Sequence, residues 1–501
     1  MNISTKNLNK QKCYSELFLL MLMICTSHVV KSQKRFITNF EVGGYVGTSK
    51  HLPFWLRANQ YGAIPDQAPA LFSTLENHTI PQGYYRDTVA NKSRKIFDWN
   101  YDFEIALSLG VKSDLYMVEG AVTGRIGFLN LMIGKKKEIF GLVDTLLSSG
   151  SMIWSGNART IPKIQIGTNG YTTVPFTRKV VSFQFTYAHG WLGDLRINPL
   201  TRLEEDNRFN GYSYYLETYL HQKSFFLRLG KPQSHTRLFG GFTHVAQYGN
   251  DRILSPGAYS PLSDKELYEK VVFGKTWAQS KVGNHLGTID LGAEIRGKRH
   301  DFFIYRQNFF ENGSLLNALN RDGLSGISIT KKQQSSRKLS FRKLLVEYLY
   351  TNDQVDPLVT SIGSRNDYYN HDLYYDGWSY KDRVIGTPMA TIDRDMLENV
   401  DKDGFRGGYV ANNRIYALHI VFMGSYEKKI NFQFKCSLSN NQGTYFFPLA
   451  TPKNQFSSSL SIEKILNKTS NSSVKLNWCA DVGTLFKSNT GIYFGFCKKW
   501  L

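Results

Sequence analysis

Residues 97–109 read Phe97-Asp98-Trp99-Asn100-Tyr101-Asp102-Phe103-Glu104-Ile105-Ala106-Leu107-Ser108-Leu109. Every odd position is aromatic or aliphatic, and every even one is acidic, amide, hydroxylated or small. A period of two places these classes on opposite faces of a β-strand. The run of about 13 residues is longer than the ~5–6 of an ordinary globular strand.

The pattern recurs along the chain. Val181, Phe183, Phe185 and Tyr187 alternate with Ser182, Gln184 and Thr186. Ile289, Leu291, Ala293 and Ile295 oppose Asp290, Glu294 and Arg296, and Leu344, Val346, Tyr348 and Tyr350 oppose Lys343 and Glu347. Phe432, Phe434, Cys436 and Leu438 form a further run, as do Val474, Leu476, Trp478, Ala480 and Val482, and then Ile492, Phe494, Phe496 and Trp500. Two architectures use such strands. A β-sandwich buries the apolar parity, whereas a transmembrane barrel turns it to lipid and keeps the polar parity for its lumen. Strand length, near the ~9–11 residues that cross a bilayer with tilt, points to the barrel. So do large aromatics at strand ends, as in an interfacial girdle. The apolar parities carry no charge, and a charge facing mid-bilayer costs about 2–4 kcal/mol.

Composition agrees. The chain has 501 residues, with 29 Tyr, 33 Phe and 42 Gly but only 14 Pro, a mixture suited to strands and turns. Aromatics at 14% exclude a disordered chain. Lys6, Lys10 and Lys12 precede the short apolar run 17–24, and Val30 and Ser32 suit a signal-peptidase cut before Gln33. Residues 1–32 are therefore read as a secretory leader. A lipoprotein cut before Cys25 fits less well, because bulky Ile24 precedes it. Removing Lys6, Lys10, Lys12 and Lys31 with Glu16 lowers the formal charge of +20 by three, to +17. No later stretch is apolar for 18 residues, as a transmembrane helix requires. Cys436, Cys479 and Cys497 are too few for a disulfide scaffold. Two readings stay open for Cys479 and Cys497: free thiols, or a lumen-facing disulfide if the last hairpin sets them opposite each other.

The pattern breaks in four places. Residues 33–95 alternate weakly and are read as an N-terminal extension or plug segment with the first strand region, ahead of a barrel over 96–501. Long loops are expected at 134–180, 255–275 and 351–413. Within the first, Ile139, Leu142, Val143 and Leu146 have helical spacing, weakened by Gly141. Ser263 and Glu266 form a capping-box pattern that predicts a helix over 263–273. No repeat of 20–50 residues is evident, which argues against a propeller or solenoid.

Several ordered blocks carry a family resemblance. They are His51-Leu52-Pro53-Phe54-Trp55-Leu56-Arg57-Ala58-Asn59-Gln60-Tyr61-Gly62; Ser155-Gly156-Asn157-Ala158; Ile161-Pro162-Lys163-Ile164; Val174-Pro175-Phe176-Thr177; and Ala188-His189-Gly190-Trp191. Asn366-Asp367-Tyr368-Tyr369-Asn370 follows, then Asp376-Gly377-Trp378 and Val384-Ile385-Gly386-Thr387-Pro388. Together they resemble the capsule-assembly Wzi family. The resemblance implies an all-β outer-membrane barrel of about 18 antiparallel strands, plugged, with a few short helices in loops and near the N-terminus. It implies a non-enzymatic, monomeric lectin that helps attach capsular polysaccharide at the cell surface, with no cofactor. It supplies no glycan-binding residues.

The residues themselves were weighed for other chemistry. The chain has no HExxH, GxSxG or GxxxxGK[ST] motif. Asp98 and Asp102 lie about 13 Å apart along a strand, beyond the ~5–9.5 Å of a glycosidase pair. Only the i, i+2 pair with Glu104 would fit, and a wet lumen wall accounts better for these carboxylates. No catalytic residue is assigned. His189, His244 and His285 are isolated, without zinc-ligand spacing, so no metal is assigned. The recognition candidates are Tyr368, Tyr369, Tyr374, Tyr375, Trp378 and Tyr380, whose faces could stack on sugar C–H surfaces. Arg365, Lys381 and Arg383 flank them and could pair with anionic groups of a polymer. The competing reading is an aromatic girdle, or packing of this loop onto the barrel. A secretory leader speaks against nucleic acid as the partner of the positive charge. Lipopolysaccharide phosphates and outer-membrane lipid are the other anionic partners expected. A porin-like or exporter barrel is the alternative function.

Overall fold

The alternating stretches become the staves of one closed sheet. The structure, a computed structural model, describes residues 35–80, 97–197, 214–250, 262–277, 280–311, 321–332, 338–354, 366–397, 409–467 and 471–500. The leader over 1–32 and its cleavage point lie outside these residues. Eighteen staves follow in chain order. They are β1 Arg35–Gly47, β2 Ala70–Ile80, β3 Phe97–Gly110, β4 Asp114–Ile126, β5 Leu129–Lys135, β6 Lys163–Thr168 (continued by Thr172–Thr173), β7 Val181–Ile197, β8 Tyr214–Leu229 and β9 Thr236–Tyr248. The second half holds β10 Asn284–Arg296, β11 His300–Glu311, β12 Gly323–Lys331, β13 Leu339–Tyr350, β14 Ile415–Tyr426, β15 Ile430–Gly443, β16 Pro448–Asn467, β17 Ser472–Gly483 and β18 Asn489–Trp500. Each pairs antiparallel with its neighbour, and β1 also pairs with β18, Thr38 opposite Trp500. The sheet therefore has no free edge.

Its polarity is inverted relative to a soluble protein. Phe97, Trp99, Leu107 and Leu109 are exposed, while Glu104, Ala106 and Ser108 on the same strand are buried. Val482 is 59% and Phe494 61% exposed, whereas Thr243, Gln247, Asp290 and Gln307 are fully buried. A sandwich would bury the first set; a lipid-facing barrel exposes it. No helix among the described residues is long and apolar enough to cross a membrane. Leu291, 62% exposed in the middle of β10, tests this orientation. Leu291→Arg should cost about 2–4 kcal/mol in lipid-vesicle unfolding, and a cost near zero would contradict a lipid contact there.

Strands alternate in direction, so the connections 48–69, 136–162, 249–283 and 351–414 all leave the same end. The tight turns at 127–128, 297–299 and 427–429 lie at the other end, beside Arg35 and Trp500. Residues 48–69, 136–162, 366–397 and 409–414 fold back into the lumen. Their apolar side chains, among them Leu52, Trp55, Leu147, Ile153, Trp378 and Ile385, form one cluster with inward Phe309, Leu345 and Val421 of the wall.

Several boundaries differ from the sequence reading. Residues 33–95 contain two complete staves, β1 and β2, and only the segment between them, with the short helix α1 Phe54–Arg57, enters the plug. The alternation was hidden because Gly43-Gly44 interrupts β1, while Ser73 and Asn77 share a parity with Leu71 and Leu75 in β2. Likewise 134–180 is not all loop, since six-residue β6 lies within it. The helix over 263–273 forms as α2 Asp264–Phe273, with Ser263 and Glu266 in a reciprocal capping box. Residues 139–146 form no helix. Gly141 has φ +103°, and a Cβ there would fall 1.9 Å from Gln307 Nε2, so the backbone presses directly on the wall. In the last hairpin Cys479 opposes Gly491 and Cys497 opposes Ser473. The even sum keeps the expected parity, and of the two readings left open the free thiols are the one found.

Candidate functional site

The plug is bonded to the wall by polar side chains that alternation turns inward. Glu347 of β13 accepts hydrogen bonds from Ser148 Oγ and Ser149 N–H, each at 2.6 Å, and from the Tyr305 hydroxyl at 2.5 Å. Asp290 accepts from Leu142 N–H at 2.6 Å and Gln307 Nε2 at 3.0 Å, while Gln307 Oε1 takes Met152 N–H at 3.0 Å. Irregular backbone cannot satisfy itself in a lumen, so each bond removes an otherwise orphaned donor. The carboxylates of β3 and β4 have the same role. Asp102 pairs with Lys136 at 2.5 Å, Glu104 with Lys137, and Glu119 accepts Lys137 N–H at 2.7 Å. Burial would lower the Lys137 ammonium, but Glu104 and Glu119 outweigh it and hold its pKa above the ordinary value.

The predicted aromatic recognition stretch lies inside this packing. Tyr368, Tyr369, Tyr374, Trp378 and Tyr380 are buried, and Arg383 is nearly so. Trp378 Nε1 donates to Ile153 O at 2.8 Å, and its ring meets Trp154 edge-on at 6.2 Å. Tyr369 donates to Met152 O at 2.7 Å, and Tyr368 and Tyr369 both pack on Phe309. Arg383 pairs with Asp66 and donates to Arg57 O at 3.0 Å. Faces enclosed in this way are not presented to a polymer, so packing of the loop onto the barrel is the arrangement found for these residues. Lys381 is exposed and Tyr375 half-buried. Arg365 lies outside the described residues.

What remains open is the plug surface at the end of the long connections. Arg196, at the end of β7, lies against two tyrosine rings, 4.7 Å from Tyr375 and 5.0 Å from Tyr409. Its Nε donates to Asp376 Oδ1 at 2.6 Å and its backbone N–H to Asp376 Oδ2 at 3.0 Å. Tyr409 donates to Asp382 at 3.2 Å, and Arg394 pairs with Asp382 at 3.1 Å and Asp66 at 3.4 Å. Burial alone would raise Asp66, but Arg383, Arg57 and Arg394 hold it below its ordinary value. The result is a fixed strip of two aromatic faces with guanidinium and carboxylate groups beside them. Arg196 and Tyr409 were missed in the sequence, because neither falls in an aromatic run and only the fold brings them to Tyr375. Below the strip, the crevice between Arg57, Asn157, Arg383 and Asp395 measures about 30 Å³, room for one water.

The plug carries a pH dependence of definite sign. Burial pushes Asp322 up to about 6, although it accepts the N–H of Asp353 and Gln354 and the Tyr368 hydroxyl. Asp367 is likewise raised by burial to about 6. A folded-state value above the unfolded one means that the folded plug holds the extra protons. The contribution of these two carboxyls therefore falls as pH rises from the ordinary carboxylate range through about 6, then levels off. Asp66, depressed, is ionised throughout this window and contributes only below it. Buried His371, lowered to about 4, acts in the opposite direction as pH falls, so the carboxyl contribution is read as a difference between proteins. In thermal melts the stability of Asp322→Asn relative to wild type should rise between about pH 4.5 and about pH 7.5, and an equal difference at both would refute the assignment.

Comparison with known proteins agrees with this architecture. The family model for the capsule assembly protein Wzi matches residues 73–397. The chain belongs to this family. Wzi of Escherichia coli, described as an outer membrane protein involved in group 1 capsule assembly and as a carbohydrate-binding β-barrel, superposes with a TM-score of 0.52 at 13% identity. The alignment covers 91% of this chain and 83% of that one. OccAB2 of Acinetobacter baumannii aligns at a TM-score of 0.46 and 8% identity, over 93% of this chain and 98% of its own. OpdQ of Pseudomonas aeruginosa gives 0.44 and 7%, over 94% and 99%. No curated protein matches at the sequence level.

Proposed function

We propose that this Wzi-family barrel is a non-enzymatic lectin of the outer membrane that retains capsular polysaccharide on the open face of its plug. The observation that carries the reading is Arg196 lying against Tyr375 and Tyr409, with Asp376, Asp382 and Arg394 alongside. Tyrosine faces stack on sugar C–H surfaces, and the charged groups hydrogen-bond hydroxyls or pair with acidic substituents. Barrels of this type carry long connections outward and short turns toward the periplasm, which directs the strip to the cell exterior. A leader over 1–32 would export the chain, and a charge of +17 suits an anionic glycan and the phosphates of surrounding lipopolysaccharide. The barrel acts as a monomer in this reading.

The test compares cell-bound with released capsule in a strain carrying the wild-type or altered protein. Arg196→Ala combined with Tyr409→Ala should weaken binding of purified capsule at least about tenfold and raise the released fraction. Unchanged retention after deletion of the whole protein would end the lectin reading.

A further inference from the structure

The wall is low at β5 and β6. These staves have seven and six residues, against 17 in β7 beside them. β5 ends where Lys135 pairs with Gly120, so residues 114–119 of β4 rise about 20 Å above it, at ~3.4 Å per residue. On the other flank β6 begins where Lys163 pairs with Gly190, and β7 continues over 191–197 without it. The two bare edges are covered by the plug instead of by strands. Thr160 Oγ donates to Val118 O at 2.5 Å, Trp191 N–H to Pro162 O at 3.0 Å, and Arg196 N–H to Asp376 Oδ2 at 3.0 Å. Plug residues therefore reach the outer surface of the barrel through this notch.

We propose that the notch and the low wall beneath it hold a phosphorylated glycolipid of the outer leaflet, a lipopolysaccharide molecule, with its phosphate between Lys135 and Lys381 and its acyl chains on β5 and β6. On the outward face Leu131 opposes Ile166 and Ile133 opposes Ile164, and all four are exposed, which makes a continuous aliphatic surface. Lys135 shares their parity, two residues above Ile133. A cation on the lipid face is costly at mid-bilayer and nearly free at the interface, so Lys135 marks the headgroup level.

The charged groups that act on Lys135 are Arg159 and Lys381, both cationic and both from the plug. Arg159 is neutralised by Asp114 and lies over the Tyr116 ring at 4.2 Å. Lys381 is exposed and lies over the Tyr380 ring at 5.7 Å. Neither Lys135 nor Lys381 has a carboxylate partner among the described residues. Two ammonium groups held near each other repel, and a phosphate between them turns that repulsion into attraction. The cations and the aliphatic surface are contiguous on one outward face, which fits a lipid and not a soluble phosphate. This site rests on the outer-membrane placement proposed above, but Lys135 and Lys381 are not part of the strip at Arg196, Tyr375 and Tyr409. The strip lies on the β7 flank of the same notch, so the lipid saccharide and the retained capsule would lie side by side.

The experiment adds purified rough lipopolysaccharide to delipidated barrel in mild detergent and counts bound molecules by native mass spectrometry. One molecule should stay bound to the wild type. Lys135→Glu should weaken it at least about tenfold, since the change removes an attraction and adds a repulsion at the headgroup level. Lys338→Glu, on an exposed lysine at the short-turn end, should leave it unchanged. Two arms use the wild type alone and need no variant that folds. Lipopolysaccharide stripped of its phosphates, and the core oligosaccharide freed of its acyl chains, should each bind at least about tenfold more weakly. Equal binding by either of them, or by Lys135→Glu, overturns the site. Purified capsule distinguishes this outcome from failure of the lectin reading. Lys135→Glu should bind capsule as the wild type does, whereas Arg196→Ala with Tyr409→Ala should lose capsule and keep the lipid.

Discussion

Replacing residues 366–397 with a short flexible linker is expected to turn a closed barrel into a conducting one. An 18-stave barrel is wide enough to leave an aqueous channel unless something fills it. Here 366–397 supplies the middle of the filling: Trp378 and Tyr369 bond to the 136–162 segment, and Arg383 bonds to the 48–69 segment. Without it the other two segments lose their shared partner, while the wall keeps its ladder. Purified wild-type protein in planar bilayers should show no stable open level, and the linker variant should show large, long-lived steps. A large steady conductance in the wild type would instead favour the porin-like reading. Equal silence in both would show that the other two segments seal the lumen unaided.

Trp378→Ala should remove about 3–5 kcal/mol of plug stability, the range for emptying a buried indole site. Trp378 is fully buried, and its loss leaves Ile153 O without its donor and Trp154 without its edge contact. Hydrogen exchange should report the change in 366–397 and 136–162 but not in the staves. Trp378→Phe keeps most of the packing and loses one hydrogen bond, a change of about 1 kcal/mol. The pair of variants separates two roles. If Trp378 were a sugar contact, both variants would weaken polysaccharide binding with the plug intact. If it is plug core, binding follows stability, and Phe largely restores both.

The wall was legible in the sequence because lipid and lumen impose opposite demands at a spacing of two residues. Phe97 to Leu109 shows this without interruption. Where a glycine, hydroxyl or amide takes the lipid-facing place, as at Gly44, Ser73 and Asn77, the same geometry leaves no trace in hydropathy. The candidate site was legible in part. Tyr375 and Lys381 were named, but their neighbours in the aromatic stretch turned out to be packing. Burial of that stretch depends on which segments share the lumen, and no local pattern encodes that. Arg196 reaches Tyr375 and Tyr409 across intervals of 179 and 213 positions, and only the closed sheet defines the meeting point.

The pairing of β1 with β18 has a consequence for the order of folding. Thr38 meets Trp500 across nearly the whole chain, so this contact carries the largest loop-closure entropy of any in the ladder. Local hairpins such as β14–β15 and β10–β11 nucleate without that cost. Until the seam forms, both outer staves expose unpaired N–H and C=O groups, an arrangement that lipid does not tolerate. The plug is bonded to β10, β11 and β13, but also to β3 and β4 through Asp102, Glu104 and Glu119 and to β17 through Asp481, on both sides of that seam. Filling and closure are therefore linked: plug segments anchored on both flanks bring β1 and β18 together, and their ladder forms last.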